Sequence, residues 1–208
     1  MTDIISFLKF QGEISPQRII AGVAILILLV IASVNDVKTR KIPSYCSYPI
    51  MLISLGMFIY DKEYILIPLF ILAVLGTGNM LFRIMFIVFA VILAANKGEW
   101  LIPFMVSLVV GDIFFSIGII GGGDAQLFFG LAAYAYKGWG FSVITAAFTV
   151  IAGLIMVLKN RKTNMKRFHE IIENMKKGKV KKDKSRIQIP FAVVLTLSAL
   201  AYIVVQLL

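Results

Sequence analysis

Eleven carboxylates, one histidine (His169) and one cysteine (Cys46) hold most of the acid–base and nucleophilic chemistry open to this 208-residue chain. A single cysteine excludes an intramolecular disulfide. Without a Cys-x-x-Cys pair or a Cys/His cluster, no Cys/His metal site and no cofactor are expected. The chemistry must then come from carboxylates, and each acid can be asked whether water explains it. Asp3 and Glu13 precede the first apolar run; Asp61, Glu63 and Glu99 fall in short links; Glu170, Glu173 and Asp183 lie in a basic stretch. All eight read as ordinary solvated acids. Asp36, Asp112 and Asp124 sit in or beside apolar runs instead, where an ionised carboxylate costs at least ~2.5–3.5 kcal/mol.

Two carboxyls held within a few ångströms cannot both ionise cheaply, so they share a proton. Such a pair activates water: the ionised member accepts the water proton as general base, while the protonated member polarises a carbonyl. The question is which of the three acids meet, and that depends on the elements that carry them.

The chain is 60% hydrophobic and 15% charged, with a mean hydropathy of +0.92, beyond what a water-soluble domain tolerates. Its apolar runs are continuous and do not alternate with a period of two, which points to helices rather than a barrel. The expected fold is all-α, a polytopic transmembrane helical bundle of six to eight spans, forming one domain over 1–208. The runs are 19–35, 45–60, 64–82, 84–95, 101–120, 125–137, 141–158 and 188–208; the fourth and sixth reach only about 18–20 Å of a hydrocarbon core ~30 Å thick and read as partial or tilted helices. No removable signal peptide is expected.

With the N-terminus outside, the inner side collects sixteen Lys and Arg and the outer side five. This bias favours a multi-pass protein of the plasma (inner) membrane in that orientation. Twelve of the sixteen lie in 159–186, "KNRKTNMKRFHEIIENMKKGKVKKDKSR". That stretch is expected to be a cytoplasmic loop against anionic headgroups of the lipid bilayer. It is poor in aromatics and sits between spans, so nucleic acid is not an expected partner.

In this topology Asp36 and Asp124, 88 residues apart, both fall at the inner face. Asp112 lies twelve residues before Asp124. On a continuous helix that is about 18 Å deeper. Its expected role is structural, hydrogen-bonded to a neighbouring helix through Ser116 or a backbone carbonyl. Gly121, Gly122 and Gly123 break the preceding helix, and their freedom at positive φ lets the backbone approach a substrate strand or an opposite helix. They leave Asp124 near a helix start, within reach of free N–H groups. The bland readings are a turn with a cap at Asp124, and an interfacial Asp36 paired with Lys38 or Arg40.

Three segments carry a resemblance: "ASVNDVKTRKIPS", "GGGDAQLFFGLAA" and "IPFAVVL", in that order along most of the chain. Together they resemble the prepilin and preflagellin leader peptidases, membrane aspartyl proteases of the Gly-x-Gly-Asp type. The resemblance implies catalytic Asp36 and Asp124, no metal, and an active site at the cytoplasmic face. The implied partners are precursors of pilins, pseudopilins or archaellins, with a short basic leader ahead of an apolar helix. This chain departs from the pattern at Ser44, where Asn is usual, at Gln126, where Lys is common, and in a longer interval between the aspartates. The surplus matches one helical hairpin within Tyr64 to Ala95. The cysteine-rich zinc portion of bifunctional members has no counterpart, so methyltransferase activity is not expected.

Three rivals remain. A signal-peptide-peptidase-like or presenilin-like protease would place Tyr before the first Asp, where Asn35 stands, and would carry Pro-Ala-Leu, which is absent. An ion- or proton-coupled transporter would use Asp36, Asp112 and Asp124 as a relay. A non-catalytic assembly subunit would leave the aspartates incidental.

Overall fold

The computed structural model describes residues 14–39, 41–76, 79–97, 101–116, 120–159 and 191–207. Arg40, Glu99, positions 189–190 and the basic stretch beyond Lys159 lie outside them. The described residues form eight α-helices and no strand: α1 Pro16–Thr39, α2 Ser44–Tyr60, α3 Leu66–Gly76, α4 Met80–Lys97, α5 Ile102–Ser116, α6 Gly122–Tyr134, α7 Gly140–Lys159 and α8 Phe191–Leu207. By length and composition, α1 is the one helix among the described residues that is long and apolar enough to cross a membrane.

The helices answer the eight apolar runs with shifted boundaries. The run over 64–82 is shared between α3 and α4, and Asn79 caps α4 by accepting the Leu81 N–H at 2.9 Å. Gly76 lets α3 approach α4 closely: a Cβ there would stand 3.2 Å from the Arg83 Cα. α3 and α4 pack on each other as a hairpin. The helix expected over 101–120 is described from Ile102 to Ser116, and the next begins at Gly122 rather than at 125.

The centre of the bundle is α6, where Ala125 and Leu127 to Ala133 are all buried. α2 and α5 pack against it, α1 pairs with α8, and α8 also pairs with α7. Small residues permit the close approaches. A Cβ on Gly130 would come within 2.8 Å of Ile50 Cγ2, and one on Gly111 within 2.6 Å of the Phe128 and Phe129 rings. Hydroxyls tie the same pairs: Ser54 Oγ donates to the Gly130 carbonyl at 2.7 Å, and the Ser33 and Thr196 hydroxyls meet at 2.7 Å.

One end of the bundle corrects the reading of Asp61. Rather than facing water, its carboxylate pairs with Arg18, itself only 5% exposed, and accepts the Tyr136 hydroxyl at 2.8 Å. Arg18 also donates to the Tyr134 carbonyl at 2.9 Å. Tyr136 packs edge-on against Phe58, with ring centroids 5.2 Å apart, and Phe58 against Phe104 at 5.7 Å. Glu63 meets Lys137 at 3.7 Å. The links after α2 and α6 therefore fold over the start of α1 and neutralise its buried cation.

Candidate active site

The opposite end gathers the three segments singled out in the sequence. Asp36 lies one turn before the end of α1 and is 5% exposed. Its Oδ2 accepts the Ala192 N–H at 3.2 Å. Ala192 is the second residue of α8, so this N–H is one of the amides a helix start leaves without an internal partner. The positive end of α8 thus points at a buried carboxylate. Of the segment "IPFAVVL", the part from Phe191 onward is described, and its first turn holds Asp36.

Asp124 is the third residue of α6 and closes its first turn backwards. Its Oδ2 accepts the Gly121 N–H at 3.0 Å, while the Gly121 carbonyl accepts the Ala125 N–H at 3.0 Å. Its other oxygen, Oδ1, is buried and accepts no hydrogen bond from the described residues. Phe128, one turn beyond Asp124, packs against Phe191, which precedes the Ala192 that holds Asp36, so the two aspartates lie at the same end of the bundle.

The glycines differ from expectation. Gly121 is extended (φ −80°, ψ 171°), Gly122 and Gly123 are the first two residues of α6, and none of the three uses positive φ. They do not form an extended edge for a substrate strand, since the one extended N–H is spent on Asp124. Their value is steric. A Cβ on Gly123 would lie 3.1 Å from the Ile42 Cβ and 3.4 Å from its carbonyl oxygen. Ile42 belongs to "KIPS", just beyond Asp36, so this bare position lets the start of α6 rest on the link from α1 to α2. A Cβ on Gly121 would sit 3.2 Å from Asp124 Oδ2, whereas one on Gly122 would meet only the Phe115 ring at 3.8 Å. The middle glycine alone has room for a side chain.

Neighbouring polar groups hold the frame. Thr39 Oγ1 donates to the Asn35 carbonyl at 2.9 Å, and Asn35 Nδ2 to the Ile31 carbonyl at 2.9 Å, fastening the last turns of α1. Ser47 Oγ donates to Gln126 Oε1 at 3.1 Å, joining α2 to the first turns of α6.

Asp112 is not brought to this pair in the way the aspartates are brought to each other. Its Oδ2 meets Arg83 Nε of α4 at 2.9 Å, an ion pair that the sequence did not suggest. Arg83, counted above among the bases of a loop, lies in the first turn of α4. Sequence reasoning missed the Ala192 amide and Ile42. The "IPF" and "KIPS" echoes marked both neighbourhoods, but not the contacts they make.

A scan against protein-family models gives no match, and neither do searches of curated proteins and of solved structures.

Proposed function

We propose that this chain is a polytopic membrane aspartic endopeptidase of the prepilin leader peptidase type, with Asp36 and Asp124 as its catalytic residues. Its substrates are pilin-like or archaellin-like precursors, cut between a short basic leader and an apolar helix at the cytoplasmic face. The observation that carries the reading is the convergence of three distant segments. Asp36 receives the amide of the third segment, Asp124 closes the turn of the second, and Gly123 rests on Ile42 of the first.

A bilayer setting is supported by the surface. Ile19, Ile20, Val23, Ile27, Val30, Ile31, Val34 and Val37 are exposed along the length of α1. Met80, Leu81, Ile84, Met85, Ile87, Val88, Val91 and Ile92 are exposed along α4. Continuous apolar faces of this size are unfavourable in water and favourable in lipid. The helices shorter than a hydrocarbon core of ~30 Å are accommodated by local thinning of the bilayer.

In the mechanism, water held between the carboxyls loses a proton to the ionised aspartate and adds to the scissile carbonyl carbon. The protonated aspartate donates to the carbonyl oxygen. The tetrahedral intermediate collapses as the C–N bond breaks, with a proton passing from the dyad to the departing nitrogen. The free Oδ1 of Asp124 is the atom available for this traffic.

A relay transporter would need the third acid in the same chain of proton sites, and Asp112 is instead committed to Arg83. The decisive experiment uses membranes containing the full chain and a precursor with a basic leader. Asp36→Ala and Asp124→Ala are each expected to abolish shortening of the precursor while the protein still inserts. Normal cleavage by either variant would remove the dyad.

A further inference from the structure

We infer that the groove between α5 and α7 receives the apolar helix of the substrate, and that one bulky side chain of that helix fills a cavity ending on Phe128 and Phe191. The inference rests on the peptidase reading above and names where its substrate lies.

α5 leans on α6 and α7 on α8. The Ser107 and Ser142 hydroxyls touch across the gap between α5 and α7. There a cavity of about 200 Å³ opens, lined by Val110, Phe114, Ile120, Phe128, Thr145 and Phe191 among others. Two of these residues adjoin the aspartates. Phe128 lies one turn beyond Asp124 on α6, Phe191 immediately precedes Ala192, and their ring centroids are 6.4 Å apart. The floor of the cavity is therefore the back wall of the dyad. A helix lying in the groove has one end directed at the cleavage chemistry.

The size fixes what enters. A cavity of about 150 Å³ holds one benzene ring, so this one takes a single large side chain and not a whole helix or lipid. The rest of the occupant must lie along the open groove, whose rims Val106 and Val143 are exposed.

Thr145 decides between an acyl chain and a polypeptide. Four buried helical hydroxyls turn back to the carbonyl four residues earlier, Ser54 to Ile50, Ser107 to Pro103, Thr196 to Ala192 and Ser198 to Val194, and buried Ser47 donates to Gln126. Thr145 is 2% exposed, lines the cavity, and its Oγ1 has no hydrogen-bond partner among the described residues. A buried hydroxyl left so is unfavourable until a ligand supplies an acceptor. The interior of an acyl chain has none. A helix brings backbone carbonyls and short polar side chains.

The test is photo-crosslinking in native membranes. The inactive full-length Asp124→Asn protein carries p-benzoylphenylalanine at Val110 or Thr149. For comparison it is placed at Val23 or Ile203, which line a larger apolar cavity between α1, α6 and α8 near Arg18. The probe is a precursor with a short basic leader fused to an apolar helix of about 20 residues. Adducts from Val110 and Thr149 that map to the probe's apolar helix, at least tenfold above those from Val23 and Ile203, are the expected result. Adducts mainly from Val23 or Ile203, or none above background at any position, while the parent protein cleaves the same probe, overturn the groove and leave the peptidase standing. Failure of the parent protein to cleave overturns both. In the active protein, Val110→Trp is expected to raise KM at least tenfold with kcat within twofold. An unchanged KM in a normally inserted Val110→Trp protein counts against the groove.

Discussion

The glycines before Asp124 make unequal demands, and this yields a quantitative prediction. At Gly123 a methyl group would stand 3.1 Å from the Ile42 Cβ and 3.4 Å from its carbonyl oxygen, so the two segments must part by a few tenths of an ångström. The neighbour cannot swing aside, because the atoms met are a Cβ and a backbone oxygen and not the tip of a flexible side chain. Asp124 is the next residue and moves with the helix start. A 1 Å misplacement of reacting groups costs about a hundredfold in rate, so on a logarithmic scale a few tenths costs about fourfold. Stability moves in the other direction, since alanine in place of a helical glycine gains up to about 0.5–1 kcal/mol, against an overpacking cost of similar size. Gly123→Ala is thus expected to insert and melt almost as the parent does, yet cleave about fourfold more slowly. Gly123→Val, with two further carbons facing Ile42, is expected to lose cleavage. Gly122→Ala, whose methyl meets only Phe115 at 3.8 Å, is expected to keep full activity. Initial rates of precursor shortening at equal membrane protein level measure all three. Full activity in Gly123→Val, or a Gly122→Ala defect larger than that of Gly123→Ala, would refute the steric account.

Further substitutions test the frame around the dyad. Arg18→Met strands the Asp61 carboxylate beside Tyr136 and is expected to cost about 3 kcal/mol, read as a lower midpoint of thermal unfolding in detergent. Adding Asp61→Leu to it should recover much of that loss. Asp112→Asn is expected to retain cleavage while weakening the α4–α5 contact through Arg83, seen as a lower unfolding midpoint; lost cleavage in a folded protein would make Asp112 a member of the site. Gly130→Ala drives a methyl to 2.8 Å from Ile50 Cγ2, so a cost of about 1–3 kcal/mol is expected in the same melt.

The helices were legible because their apolar runs are long and unbroken, but their ends were not. Asn79 reads as one more residue in an apolar stretch until its side chain is seen capping α4. Packing left no periodic signal on α6 either, since a helix buried all round has no polar face to reveal its orientation. Asp61 was misread for a related reason. An acid in a short link defaults to water when only the order of the spans is known. Its pairing with Arg18 requires that the starts of α1, α3 and α7 meet, which is a statement about three dimensions.

At the candidate site the acids were legible and their supports were not. Asp36 and Asp124 stand out by elimination, because a carboxylate beside an apolar run needs a reason. Ala192 has no chemistry in its side chain, so nothing in its type marks the amide it gives to Asp36. Three glycines in a row read as flexibility, whereas two of them begin a helix and the third caps it. Flexible glycines would let Asp124 drift relative to Asp36. Glycines that start a helix hold it in place, with Ile42 as the stop on one side and the first turn of α6 on the other. Each aspartate keeps its place only if it is held by groups it cannot leave. Here those groups are the amide at the head of α8 and the amide ahead of α6.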